Sequence, residues 1–248
     1  MDKKKLVKQL LVIAFIVLLF AGTDFSIYKF FIKRVTSHHS PGMQKMSVEV
    51  GNYVPFSGSA NIYTSKEIEP YTKETQEMKQ GKLHMGYTTP VRFGDEDFPK
   101  MQIFNGIFGG YAHSKLFMNV REKESLAYYA SSSYASYYGL LFVVSGIEPS
   151  NEQKARDVIQ EQLKAIQNGD ITDLELAQTK AMLINQMKEA LDSSRGQIEI
   201  FDQYKELNEP FTLDTWTTRW QAVTKEDVQQ MAKQLELEAT YFLCGKED

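Results

Sequence analysis

Hydrophobic and polar positions fall into clear periods only from about residue 78 onward. Leu83, Met85 and Tyr87 alternate with His84, Gly86 and Thr88, the period of two that predicts a half-buried strand, with His84 on its polar face. Pro99 follows Asp95–Phe98, and its fixed φ suits a first helical turn. Met101, Phe104, Ile107 and Phe108 then keep helical spacing until Gly109-Gly110 stops the helix. Ser114–Glu124 predicts a second short helix with Leu116, Phe117 and Val120 on one face. Two aromatic-rich runs, Leu126–Tyr137 and Leu140–Ile147, are hinged near Gly139 and read as an antiparallel hairpin.

After Pro149 the pattern is helical for most of eighty residues. Ser150 with Gln153 predicts a capping box, each side chain serving the other's orphan backbone donor. Ala155, Val158, Ile159, Gln162 and Ile166 follow at spacings of three and four, with Gly169 as the stop. Thr172 with Glu175 opens the next helix, Thr224 with Asp227 opens the last, and Trp216, Trp220 and Val223 lie between. Ala239–Cys244 closes the chain as a strand. Strand, two helices, two strands, several helices and a strand predict an α+β fold: a mostly antiparallel sheet with helices packed on one face.

Ahead of this regular stretch, residues 1–44 form a separate basic and apolar block, and residues 45–77, with Pro55, Gly58 and Pro70, read as a linker; 78–248 is the folded domain. Lys3-Lys4-Lys5 precede an apolar run from Leu10 to Ala21, shorter than the roughly 20 residues of a comfortable membrane span. The balance points to a cytoplasmic protein, with a signal anchor or export signal in that run as the alternative. A net charge of −4 argues against a nucleic-acid footprint, which needs a basic face. The single cysteine, Cys244, cannot form an internal disulfide and reads as a buried strand thiol.

Candidate catalytic chemistry is sparse. The four histidines are His38, His39, His84 and His113. A helical zinc site needs ligands one turn apart, as in His-x-x-x-His or His-x-x-Glu-His, and no pair has that spacing. Ser131-Ser132-Ser133 lie in a strand run, without the Gly-x-Ser-x-Gly turn that exposes a serine nucleophile. Gly106-x-x-Gly109-Gly110 ends a helix rather than joining strand to helix, so it reads as a cap and not a phosphate loop.

The informative stretch is Phe104-Asn-Gly-Ile-Phe-Gly-Gly110, then Ser114-Lys-Leu-Phe117, then Val120-Arg-Glu-Lys-Glu-Ser-Leu-Ala-Tyr128. It resembles the C-terminal homologous half of insulinase-type (pitrilysin-like) peptidases, with an Arg-x6-Tyr motif where helix meets strand, over roughly residues 78–245. The resemblance implies one half of a closed chamber. In that family the N-terminal half carries the inverted zinc motif, and the C-terminal half lends an arginine and a tyrosine to the bound peptide. By position these are Arg121 and Tyr128, substrate-binding rather than catalytic residues. The implied protein holds no cofactor or metal of its own, does not act alone, and completes the substrate chamber of a zinc-bearing partner or missing N-terminal half, as a homo- or heterodimer. The closest likeness is to non-catalytic partner subunits in bacteria. The alternative is a scaffold protein of the same fold with no role in proteolysis. Taken without the resemblance, Arg121 reads as a helix C-terminal charge pairing with Glu122 or Glu124, and Tyr128 as one of several tyrosines covering a sheet face.

Overall fold

The computed structural model describes residues 70–205, 207 and 209–245; the expectations for residues 1–69, including the Leu10–Ala21 run and His38-His39, lie outside them. The chain runs β1 (Tyr71–Gln76), β2 (Gly81–Thr88), α1 (Phe98–Asn105) continuing into a π-helical turn π1 (Gly106–Gly110), a second π-helical segment π2 (Leu116–Lys123), β3 (Ala127–Ala135) and β4 (Leu140–Ile147). A 3-10 turn, Pro149–Asn151, leads into α2 (Glu152–Gln167), α3 (Asp173–Leu191), α4 (Ser194–Tyr204), α5 (Leu213–Ala222), α6 (Lys225–Lys233) and β5 (Glu236–Gly245). The sheet order is β1-β5-β2-β4-β3. β2 lies antiparallel to both β4 and β5, and β3 antiparallel to β4, while β1 joins β5 in parallel. The α+β, mostly antiparallel expectation therefore stands.

Leu83, Met85 and Tyr87 of β2 share one face with Leu141 and Val143 of β4 and Phe242 and Cys244 of β5, by the strand register. They form one buried cluster with Phe104, Ile107, Leu116, Ile159 and Trp220 from the helices. Burial of each such side chain is worth about 1.5–3 kcal/mol, which makes this layer the main source of cohesion. Pro99 lies in the first turn of α1, as its fixed φ favours. The capping boxes at Thr172–Glu175 and Thr224–Asp227 are both formed.

Three expectations are corrected. Residues 71–76 are not linker: they pair in parallel with Thr240–Gly245 as an edge strand of the sheet among the described residues. Lys73, Glu74 and Thr75 made this segment look like loop, but an edge strand can be polar, and charged side chains there discourage pairing with another chain. Lys73 Nζ lies 5.6 Å from the centre of the Phe242 ring. The Ser150–Gln153 box is absent. Pro149 opens a 3-10 turn, the helix begins only at Glu152 with no side-chain cap, and Gln153 instead donates to Asp157 Oδ1 at 2.9 Å. His84 is not on a solvated face: β2 is a central strand buried on both sides, and His84 is 6% exposed.

Candidate functional site at the junction of π2 and β3

Eight residues, Arg121 to Tyr128, carry three departures from regular backbone. The first is π2 itself, held by Glu124 N–H donating to Asn119 O at 3.1 Å, one residue beyond the α-helical bond. Buried Leu116 and Val120 anchor it, and Asn119 Nδ2 donates to Gln162 Oε1 of α2 at 2.7 Å. At its start, buried Lys115 lies 3.0 Å from Glu175 and 3.6 Å from Asp170. The second is Ser125, the one non-glycine residue with positive φ (52°) among the described residues. It turns the chain sharply while Leu126 N–H donates to Val120 O at 3.0 Å. The third is a β-bulge. Ala127 faces Ile147 and Tyr129 faces Gly146, which leaves Tyr128 without a cross-strand partner. Bulges re-aim side chains, and both bulges and π segments concentrate at functional sites.

Two glycines make this junction possible. A Cβ on Gly109 would meet the Ser132 backbone nitrogen at 2.5 Å, so only glycine lets π1 lie this close to β3. Ser132 Oγ donates to Asn105 Oδ1 across the same contact at 2.8 Å. A Cβ on Gly146 would stand 2.3 Å from the Tyr129 ring, so Tyr129 packs onto the sheet while its neighbour Tyr128 is turned outward.

Tyr128 is 58% exposed. Its hydroxyl donates to Glu148 Oε1, and this bond raises its pKa, so the phenol stays protonated and a donor at neutral pH. Arg121, also exposed, stacks its guanidinium 4.7 Å over the Phe117 ring, with Nε 3.5 Å from Glu122 Oε1. Glu124 is bridged instead to Lys154 at 3.0 Å. The structure places Arg121 and Tyr128 at the two ends of one short exposed connection, without a hydrogen bond between them. Tyr134, by contrast, is structural: its hydroxyl donates to Val91 O at 2.8 Å.

The described histidines take structural places. His84 Nε2 finds no hydrogen-bond partner, and burial, with a smaller contribution from Lys82, pushes its pKa down to about 4. His113 Nε2 is 2.9 Å from Thr179 Oγ1, and its ring stacks on Tyr111. Among the described residues no group of three or more His, Cys, Asp or Glu side chains is placed to hold a metal ion. The chemistry open to Arg121 and Tyr128 is that of a fixed charge and a hydrogen-bond donor.

An open cleft of about 1050 Å³ went unforeseen; its walls include Phe93, Lys100, Tyr137, Trp216, Arg219 and Asp227. These residues are too far apart in the chain for spacing to have revealed it. Its cations are already matched, Lys100 by Asp97 at 2.7 Å and Arg219 by Glu209 at 2.5 Å.

The model of the peptidase M16 inactive domain matches residues 54–183, more than half of the chain. The chain belongs to this family. The chain is 42% identical over 188 residues to "Probable inactive metalloprotease YmfF" of Bacillus subtilis, covering 75% of this chain and 44% of that one. It is 29% identical over 163 residues to "Uncharacterized zinc protease YmxG" of the same organism, covering 64% and 40%. Among solved structures, a conserved protein from Enterococcus faecalis superposes with a TM-score of 0.70 at 41% identity, over 74% of this chain and 43% of that one. A peptidase M16 inactive domain from Pseudomonas fluorescens shares the fold, with a TM-score of 0.59 at 19% identity over 71% and 45%. The chain thus spans less than half the length of the curated relatives it matches. No described helix is long and apolar enough to cross a membrane.

Proposed function

We propose that this M16 inactive domain is the peptide-binding, zinc-free half of a peptidase system, completing the substrate chamber of a zinc-bearing partner. Hydrolysis of a peptide builds negative charge on the carbonyl oxygen, and donors fixed in place before the reaction stabilise that charge. Tyr128 supplies a protonated hydroxyl and Arg121 a permanent positive charge. The observation that carries the reading is the bulge. It leaves Tyr128 unpaired and exposed, directly after a left-handed Ser125 and a π-helical turn. Departures of this kind persist only where the surrounding structure over-determines them, and they cluster at functional sites. The test is peptide hydrolysis by the zinc-bearing partner in the presence of wild type or Tyr128→Phe. The variant is expected to lower turnover by roughly a hundred- to a thousandfold with assembly intact. Unchanged turnover would return Tyr128 to a purely structural role.

A second reading, a scaffold of the same fold without a part in proteolysis, draws on the local partners of the two residues. Arg121 has Glu122 and Tyr128 has Glu148 within this chain, so each is accounted for without a substrate.

A further inference from the structure

We propose that Glu148 is an internal occupant of the peptide site, its carboxylate holding the Tyr128 hydroxyl where a peptide carbonyl oxygen would accept it, so that peptide binds by displacing Glu148. The inference rests on the peptide-binding reading above and adds a residue that regulates it. Glu148 directly follows β4, whose last residue, Ile147, pairs with Ala127 beside the bulge. Its backbone is extended (φ −69°, ψ 136°). Pro149 restricts the residue before it to such a conformation, which fixes the backbone that carries the carboxylate, and the bond from Tyr128 places the carboxylate itself. Lys154, the cation at the start of α2, is bridged to Glu124, and no ion pair among the described residues involves Glu148. Its charge is therefore available to Tyr128. A hydrogen bond to a carboxylate is about twice as strong as one to a neutral acceptor, so a lone peptide carbonyl does not displace Glu148. A longer peptide does so through its further contacts. The latch thus gates the donor without blocking the surface.

The test uses the full chain with an extended fluorescent peptide blocked at both ends, and compares wild type, Glu148→Gln, Glu148→Ala and Tyr128→Phe. Glu148 is exposed, so its variants are expected to fold. If the released state is about a tenth of the population, both Glu148 variants tighten the apparent Kd by about tenfold, because apparent affinity scales with the competent fraction. A second readout is the phenolate absorbance of Tyr128, taken as the difference between each protein and its Tyr128→Phe counterpart during an alkaline titration. Its midpoint, raised in wild type by the Glu148 bond, should fall in Glu148→Gln. An unmoved midpoint, or peptide binding that is unchanged or weaker in both Glu148 variants, overturns the latch. Weaker binding in Tyr128→Phe without any gain in the Glu148 variants keeps the peptide-binding reading and discards the latch alone. Absence of peptide binding in every variant overturns both.

Discussion

Tyr128 owes its position to its neighbours: Ala127 and Tyr129 take the places opposite Ile147 and Gly146, and the residue between them is left to face outward. Arg121 is exposed in the same way, with the Phe117 ring beneath its guanidinium. Arg121→Ala is expected to reduce partner-dependent hydrolysis by about a hundredfold. KM should rise as well, since a guanidinium that grips the peptide backbone contributes to ground-state binding. Thermal denaturation should barely change, and a large fall in Tm would mean that the arginine serves packing instead. His84 makes a different prediction. Burial holds its pKa at about 4 against an ordinary 6.5, so the unfolded chain binds a proton between these values that the folded chain refuses. The folded state is thereby penalised as pH falls from 6.5 toward 4, reaching roughly 3 kcal/mol at about 1.4 kcal/mol per unit. Urea titrations across this range should show stability falling with acid in wild type and a shallower fall in His84→Leu, which also removes the unpartnered Nε2. Equal slopes would contradict the assignment.

At the scale of elements, two local devices can be tested directly. Thr172 and Glu175 satisfy each other's backbone donors at the start of α3, and Thr172→Ala should cost about 1 kcal/mol, read as a lower urea midpoint. Gly109→Ala would force a methyl against the Ser132 backbone, an overpacking expected to cost about 1–3 kcal/mol. A neutral result would mean that π1 can withdraw from β3 freely. These elements also show what the sequence makes legible. The Leu83–Tyr87 alternation and the Thr-x-x-acid boxes act through near neighbours in the chain, so spacing alone exposed them. The second face of β2 is not legible in the sequence because His84 and Gly86 carry no apolar signal, and burial on that side follows from the strand's central place in the sheet. β1 looked like linker because its partner, β5, lies at the other end of the chain. Arg121 and Tyr128 were marked by resemblance rather than by periodicity, while the bulge that exposes Tyr128 depends on register with β4 and on Gly146. The role of Glu148 is hidden for the same reason, since its contact with Tyr128 spans twenty residues of sequence.

Over the whole molecule, residues 70–248 form a compact unit whose sheet begins with β1. A fragment starting at Pro70 is expected to unfold cooperatively. One starting at Met78, which discards β1 and bares the β5 edge, should melt at lower temperature and aggregate more readily; equal melting temperatures would show that β1 adds nothing. The larger claim is that this M16 inactive domain lends its donors to a zinc site held elsewhere. Its most direct test is reconstitution: the purified chain, a zinc-bearing M16 subunit and their mixture are dialysed, assayed for bound zinc and compared in peptide hydrolysis. The account predicts a chain without stoichiometric zinc and without activity, and a mixture that hydrolyses peptide faster than the zinc subunit alone and loses that gain with Tyr128→Phe. One equivalent of zinc retained by the chain with chelator-sensitive hydrolysis of its own, or a mixture no faster than the zinc subunit alone, would contradict it.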